Sequence, residues 1–218
     1  MLTTGLSKLL LIFLIYQFGT GNASDSDNVS FCGGHGGDGT LTTEIPLATA
    51  RAESVSLSEV SQRLVIKCQY IADTTKNLKS QYAVNKIQDS SLLALLHSSS
   101  RLTGFPPNPT ETTVNATLLH NFEGLQKILA FVRLAKKNEF SLVYKRGIST
   151  IMNQVKGILC ELSILLKSRG IPVERIQVRM PSSYKTMSQT SRYSWLYILL
   201  RDVLGFFEES VHLYQSYS

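Results

Sequence analysis

The sequence predicts an all-α protein: a long-chain four-helix bundle with up-up-down-down topology and two long crossover loops. Three observations support this prediction. Four segments repeat apolar residues at spacings of three and four, which places those residues on one face of a helix. The connections between the segments are long, short and long in chain order. The length of 218 residues suits one domain with a sizeable core.

The N-terminus has the pattern of a cleaved secretory signal peptide over residues 1–23. One lysine, Lys8, precedes a short apolar run, and Gly21 and Ala23 match the small-residue positions before a cleavage site. A membrane anchor is the alternative, but the apolar run is too short to cross a bilayer comfortably. We therefore expect a secreted, extracellular protein with no stable membrane insertion.

Residues 24–53 are small, polar and glycine-rich, and we expect a flexible N-terminal arm. Within "FCGGHGGDGT", Cys32, His35 and Asp38 suggest a metal site, but they form no closed ligand set. We expect neither a metal nor a cofactor. The sequons at Asn28 and Asn115 are candidate N-glycosylation sites in a secreted chain.

Charge and histidine placement exclude two classes of function. The formal net charge of +6 falls by one, to +5, when Lys8 is removed with the signal peptide, and the cations are scattered rather than clustered. Such scatter argues against a nucleic-acid partner. The four histidines are dispersed, and no nucleophile or carboxylate stands at a recognisable spacing from them, so we expect no enzyme.

The first predicted helix covers about residues 56–84. Ser56 and Glu59 match the capping-box pattern of a helix N-terminus. Opposite the main apolar stripe, Ile66 and Tyr70 form a second, smaller apolar pair one turn apart. The main stripe comprises Leu57, Val60, Leu64, Cys68, Ile71, Thr75, Leu78 and Tyr82.

The second predicted helix covers about residues 116–138, after a connection of about thirty residues. In that connection "SSLLALLHSSS" is compatible with a short packed turn, whereas the prolines of "GFPPNPTETT" exclude a helix. Lys136 and Lys137 lie near the helix end, where cations interact favourably with the helix dipole. The stripe comprises Leu118, Phe122, Leu125, Leu129 and Val132.

The third predicted helix covers about residues 141–169 and follows a link of only a few residues. Gly170 suits a left-handed cap, and Pro172 blocks continuation of the helix. Gly157 and Ile164 lie off the apolar stripe. The stripe comprises Tyr144, Ile148, Ile151, Val155, Ile158, Leu162 and Leu165.

The fourth predicted helix covers about residues 193–215, after a second connection of about twenty residues. A tight link makes the second and third helices antiparallel neighbours, whereas the two long connections can run the length of a helix of roughly 35 to 40 Å. This order of connections defines the up-up-down-down topology. The stripe of the fourth helix comprises Leu196, Leu200, Val203, Phe207, Val211 and Tyr214.

Three segments carry a family resemblance. They are "NFEGLQKILAFVRLAKKNE", "GILCELSILLKSRGIPVERIQV" and "ILLRDVLGFFEESVHLY". They resemble parts of long-chain helical cytokines of the interleukin-6 superfamily, in the branch of ciliary neurotrophic factor and leukaemia inhibitory factor. The first segment is similar to the second helix of that branch, and the last segment to the fourth. The middle segment is similar to the end of the third helix and the start of the crossover that follows it. The likeness covers about Leu57 to Tyr217. It implies a cytokine, monomeric when free, that clusters class I receptors: a glycoprotein-130-type chain and a related second chain, which start JAK/STAT signalling.

The resemblance also implies three receptor-binding faces: on the first and third helices, at the start of the fourth helix, and at its end. For the off-stripe residues of the first face, packing beneath the crossovers is the alternative. For Trp195, the only tryptophan, the alternative is a cap on the end of the core. In face order, the candidates are Ile66, Tyr70, Gly157 and Ile164, then Tyr193 and Trp195, then Tyr214 and Tyr217.

The cysteine count is odd after signal removal, so we expect one bridge and one thiol, or an intermolecular partner. By resemblance to the branch, Cys32 pairs with Cys160, while Cys68 on the first stripe is a buried apolar residue. The chain also departs from the branch. Thr190 and Tyr193 occupy the positions of its Phe-x-x-Lys pair, which leaves the identity of the second receptor chain open.

Two other functions remain open from the sequence. A secreted helical-bundle carrier of a lipid or small apolar ligand would use the aromatic residues of the fourth helix to line a cavity in a poorly filled core. A cytokine of another branch, interleukin-6-like or leptin-like, would keep the fold and change the receptors.

Overall fold

A computed structural model describes Cys32, residues 56–184 and residues 186–218 of the chain. All regular secondary structure in these ranges is helical, as predicted. The proposed signal peptide, Asn28 and the proposed arm, apart from Cys32, lie outside the described residues.

Five α-helices account for the described chain, and four of them match the long helices predicted from the stripes. The additional helix lies in the first connection, where the sequence suggested only a short turn. A π-helical segment, Ala83–Ile87, continues the first helix, and a 3-10 turn, Ser182–Tyr184, precedes the last. The α-helices are α1 Leu57–Tyr82, α2 Ser90–Ser98, α3 Val114–Asn138, α4 Leu142–Ser168 and α5 Gln189–Gln215.

Local chemistry explains where several helices begin and end. The carboxylate of Asp89 accepts hydrogen bonds from the backbone N–H groups of Ser91 and Leu92 in the first turn of α2. The Ser188 hydroxyl caps α5, which begins four residues before its predicted start. Gly170 has a φ of 71° after α4, the left-handed conformation predicted for it. The capping box was wrong, however: the Ser56 side chain makes no capping hydrogen bond.

Contacts between helices give their relative directions. Tyr82, at the end of α1, packs edge-on against Tyr144 near the start of α4, with ring centroids 4.9 Å apart, so α1 and α4 are antiparallel. Tyr82 also contacts Tyr193 near the start of α5, with centroids 6.2 Å apart. At the other end of α5, Tyr214 accepts a hydrogen bond from Asn121 near the start of α3. Helix α5 is therefore antiparallel to both α1 and α3.

The core lies between the long helices, and the predicted stripes line it. Every stripe residue is buried except Leu57, which is half-buried. Helix α5 is buried well beyond its stripe, because the two connections cover its outer side. Leu102 and Phe105 of the first connection and Tyr184 of the second are buried there. The helix keeps a polar side near its end, where Glu208, Glu209 and His212 are exposed.

Candidate interaction surfaces

The first candidate surface lies on the outer sides of α1 and α4. The side chains of Ile66, Tyr70 and Ile164 are 69 %, 50 % and 51 % exposed, and Gly157 is half-buried between them. These exposures exclude the alternative that the three side chains pack beneath the crossovers. The structure thus leaves uncovered the apolar residues that the sequence placed off the stripes.

An ion pair joins the two helices in the middle of this surface. Lys67 of α1 donates to Glu161 of α4, and Arg63 Nε lies 3.9 Å from the other carboxylate oxygen. A Cβ at Gly157 would lie 3.9 Å from Lys67 Nζ, an ordinary contact distance, so the lysine ammonium lies beside the backbone of α4 at this position. We call Ile66, Lys67, Tyr70, Glu161 and Ile164 the α1/α4 face.

A disulfide borders the α1/α4 face. Cys32 and Cys160 are bonded, with Cα atoms 5.0 Å apart, in agreement with the predicted pairing. Cys68 is a buried free thiol on the core stripe, also as predicted. Burial, with a smaller contribution from Glu161, raises the pKa of the Cys68 thiol well above its ordinary value.

At the start of α5, Trp195 does not form the surface anchor that the sequence suggested. Its side chain is only 4 % exposed and packs against Tyr184, with ring centroids 5.6 Å apart. Tyr184 in turn donates a hydrogen bond to the carbonyl of Thr103, so the cluster joins the two connections to α5. Burial on all sides leaves the indole no face for a receptor, and we correct the prediction to a core position. The indole Nε1 has no hydrogen-bond partner.

Tyr193 is half-buried and takes part in an aromatic cluster at the same end. Its hydroxyl accepts a hydrogen bond of 2.8 Å from Gln189, and Lys86 Nζ lies 5.5 Å from its ring centroid. Tyr82 lies beneath it, and burial, together with the nearby Glu139 carboxylate, raises the pKa of the Tyr82 phenol.

At the end of α5, Tyr214 is corrected to a core position, whereas the receptor contact at Tyr217 stays a prediction. Tyr214 is fully buried, and burial raises the pKa of its phenol well above the ordinary value. Tyr217 is half-buried, and its hydroxyl is enclosed without a hydrogen-bond partner. The Tyr214 ring lies in the core, since the apolar stripe continues to the end of the helix.

Sequence reasoning missed a second exposed apolar cluster, in the turn between α3 and α4. Phe140, Leu142 and Val143 are 65–71 % exposed. Their signal was present in the letters "EFSLV", because Leu142 and Val143 precede the stripe that begins at Tyr144 and do not fit its spacing. The guanidinium carbon of Arg192 lies 5.5 Å from the Phe140 ring centroid.

A polar cluster fixes the first connection to α5. The Arg201 guanidinium donates to the carbonyls of Leu96 and Ser99, both at 2.7 Å, and to those of His97 and Ser100, so its acceptors lie in the last turn of α2 and just after it. It also pairs with Asp202, whose second oxygen accepts the Leu102 N–H at 2.9 Å. Burial raises the pKa of the Asp202 carboxyl, against the lowering effects of the Leu102 N–H and Arg201.

The apolar cavity between α3, α4 and α5 is about the size of one water molecule. None of the described helices is long and apolar enough to cross a membrane. Within the described ranges, no group of three or more His, Cys, Asp or Glu side chains is placed to hold a metal ion. Asn115 is exposed near the start of α3, and its side-chain oxygen accepts a hydrogen bond of 2.7 Å from Arg169.

Comparisons with known proteins found no match: no protein-family model, no curated protein and no solved structure is significantly similar to this chain.

Proposed function

We propose that the protein is a secreted long-chain helical cytokine, an up-up-down-down four-helix bundle that clusters class I receptors. The receptors are a glycoprotein-130-type chain and a related second chain, and their clustering starts JAK/STAT signalling. This class follows from the family resemblance of the three helical segments, and the contacts between helices support it.

The observation that carries the proposal is the pairing of the long helices. Helix α1 is antiparallel to both α4 and α5, and α3 is antiparallel to α5 and follows a tight link into α4. In this arrangement α1 and α3 point one way and α4 and α5 the other, with long connections after α1 and α4. Two crossovers of this kind are typical of growth hormone and cytokine bundles.

The α1/α4 face supplies a surface that such a ligand needs. Three well-exposed apolar side chains lie on the two helices that the Lys67–Glu161 ion pair joins, each within three positions of one of the paired residues. Apolar anchors within a polar surround are typical of residues that dominate binding energy at protein interfaces. Large exposed apolar side chains clustered on one surface of a protein mark interaction sites.

The Cys32–Cys160 disulfide supports the proposed location. Stable disulfides form in oxidising compartments such as the secretory pathway and the extracellular space. Together with the N-terminal signal pattern, it favours secretion over a cytosolic location.

A binding panel tests the proposal. The purified protein is presented to the extracellular domains of glycoprotein-130-type receptors and of their related second chains, and phosphorylation of the downstream transcription factor is measured in responsive cells. We expect binding to at least one chain of the panel and a dose-dependent signal. The panel also identifies the second chain, which the departure at Thr190 and Tyr193 leaves open.

Variants of the α1/α4 face sharpen this test. We expect Tyr70→Glu and Ile164→Lys each to weaken receptor binding by at least about tenfold, because each places an unpaired charge in an apolar contact. Val84→Glu is the matched control, since Val84 is 72 % exposed on the continuation of α1 and lies away from this face. Unchanged binding by both face variants, with native helicity, would rule out the α1/α4 face as a receptor contact.

A further inference from the structure

The apolar cluster between α3 and α4 is a second candidate surface, distinct from the α1/α4 face. Phe140, Leu142 and Val143 stand in water, although the first core residue of α4, Tyr144, follows directly. We call these three residues the turn patch. Exposing one aromatic and two branched aliphatic side chains side by side is unfavourable, and a partner that removed them from water would relieve this cost.

The turn patch is held in a defined conformation. The buried Glu139 carboxylate accepts the backbone N–H groups of Phe140 and Ser141, at 2.9 and 2.8 Å. Arg192 of α5 lies over the Phe140 ring. Because the backbone of the turn is already fixed, little further ordering would be needed when the patch is buried.

Cations outnumber acids in the chain around the turn patch, and Asp89, which caps α2, is an exposed acid at the same end of the helices. The one acid in residues 133–146 is Glu139, which is buried and engaged by the turn backbone. Lys86, after α1, and Arg192, at the start of α5, add two cations at this end of the helices. The cations of residues 133–146 are Arg133, Lys136, Lys137, Lys145 and Arg146.

We propose that the turn patch docks on an anionic phospholipid surface. Phe140, Leu142 and Val143 enter the interfacial layer, and the surrounding lysines and arginines contact the lipid phosphates. Peripheral membrane binding combines these two terms, burial of apolar side chains and attraction of cations to anionic lipid. We choose an anionic phospholipid as the partner because its negative charge complements the cations at this end of the protein.

Other anionic partners match the patch less well. A sulfated polysaccharide would satisfy the cations and leave three apolar side chains in water. A protein would need apolar and acidic groups arranged to fit the turn, whereas a lipid surface offers both kinds of group without a specific arrangement. The proposal does not rest on the cytokine function, because the α1/α4 face takes no part in it.

Vesicle co-sedimentation of the purified protein tests the proposal. One vesicle preparation is phosphatidylcholine alone, and the other contains one part phosphatidylserine to two parts phosphatidylcholine. We expect binding to the mixed vesicles at least about tenfold tighter than to phosphatidylcholine alone, and weaker binding as salt rises. Equal binding to both preparations, or no binding to either, would overturn the proposal.

Two variants separate the apolar and electrostatic contributions. We expect Phe140→Ser combined with Leu142→Ser to lower the partition into mixed vesicles at least about tenfold. We expect Lys136→Gln combined with Lys137→Gln to lower it severalfold and to reduce its salt dependence. Circular dichroism checks that each variant is folded, which is expected because all four side chains are at least partly exposed.

The matched control is Ile66→Ser combined with Ile164→Ser, which removes apolar side chains of similar exposure from the α1/α4 face. This control should bind the mixed vesicles as the unaltered protein does. An equal loss of vesicle binding in the control would show that any exposed apolar side chain contributes, and it would refute a specific role for the turn patch. Full retention in the Phe140/Leu142 variant would show purely electrostatic attachment, which equally rejects the proposal.

Discussion

Replacement of Arg201 by alanine is expected to release the first connection from α5. The Arg201 side chain is 14 % exposed, and its donors contact the end of α2 and the chain just after it at four backbone carbonyls and one hydroxyl. The same guanidinium faces Asp202, which holds the backbone N–H of Leu102. One substitution therefore removes the tether and leaves a buried carboxylate without its cation.

The expected cost follows from the burial of this pair. Removing one partner of a buried ion pair typically destabilises a protein by about 3–5 kcal/mol, because the remaining charge is uncompensated. Water can reach some of the released carbonyls, since the chain around Ser100 is exposed. We therefore expect Arg201→Ala to lower the free energy of unfolding by about 3 kcal/mol at pH 7, the lower end of that range.

The loss should also depend on pH. Burial raises the folded-state pKa of Asp202 above its ordinary value of 3.8, so the folded protein holds more protons than the unfolded chain there. Protonation of Asp202 therefore stabilises the folded state at pH values below 3.8, and this stabilisation is lost as the pH rises through the folded-state pKa. Without Arg201 the pKa rises further, and the penalty should be larger at pH 7 than at pH 4.

Urea unfolding followed by circular dichroism, at both pH values, measures this penalty. The difference between variant and parent removes the titration of groups that the substitution does not affect. Arg192→Ala is the control, because Arg192 lies over the exposed Phe140 ring and should cost less than about 0.5 kcal/mol. A loss below about 1 kcal/mol for Arg201→Ala, or the same loss at pH 7 and pH 4, would refute the reasoning.

Two further predictions concern buried side chains. Trp195→Ala should lower the free energy of unfolding by about 3–5 kcal/mol, since it empties a large core position beside Tyr184. If the thermal unfolding of the variant matched that of the parent, the core position would be wrong and the surface anchor would be restored. Cys68 should resist a thiol-specific reagent in the folded protein and react only on unfolding, because burial raises its pKa and excludes the reagent. Rapid modification of the native protein, with Cys68→Ala as the unreactive control, would contradict this.

The residues of the α1/α4 face could be predicted only in part from the apolar pattern of the sequence. Ile66, Tyr70 and Ile164 lie off the main stripes, and the structure leaves them exposed. The partner that contacts them is still a proposal. The Lys67–Glu161 ion pair could not be predicted, because it joins residues 94 positions apart whose proximity depends on how α1 packs against α4.

The amino-acid sequence by itself determined the helical class, the four long helices and the core face of each. Helical periodicity is a local property, so apolar residues three and four apart report the buried side without knowledge of any neighbour. The same locality explains the left-handed Gly170 after α4, since a cap depends on the residues adjoining the helix end.

Only the tertiary structure decided what covers the other side of each helix. Trp195 and Tyr214 are buried because distant connections and helices pack over α5, whereas Phe140 stays exposed because only the Arg192 side chain is placed over its ring. The side-chain chemistry of an aromatic residue is the same in both settings. Its burial depends on contacts between segments far apart in sequence, and the periodicity of one helix carries no information about them.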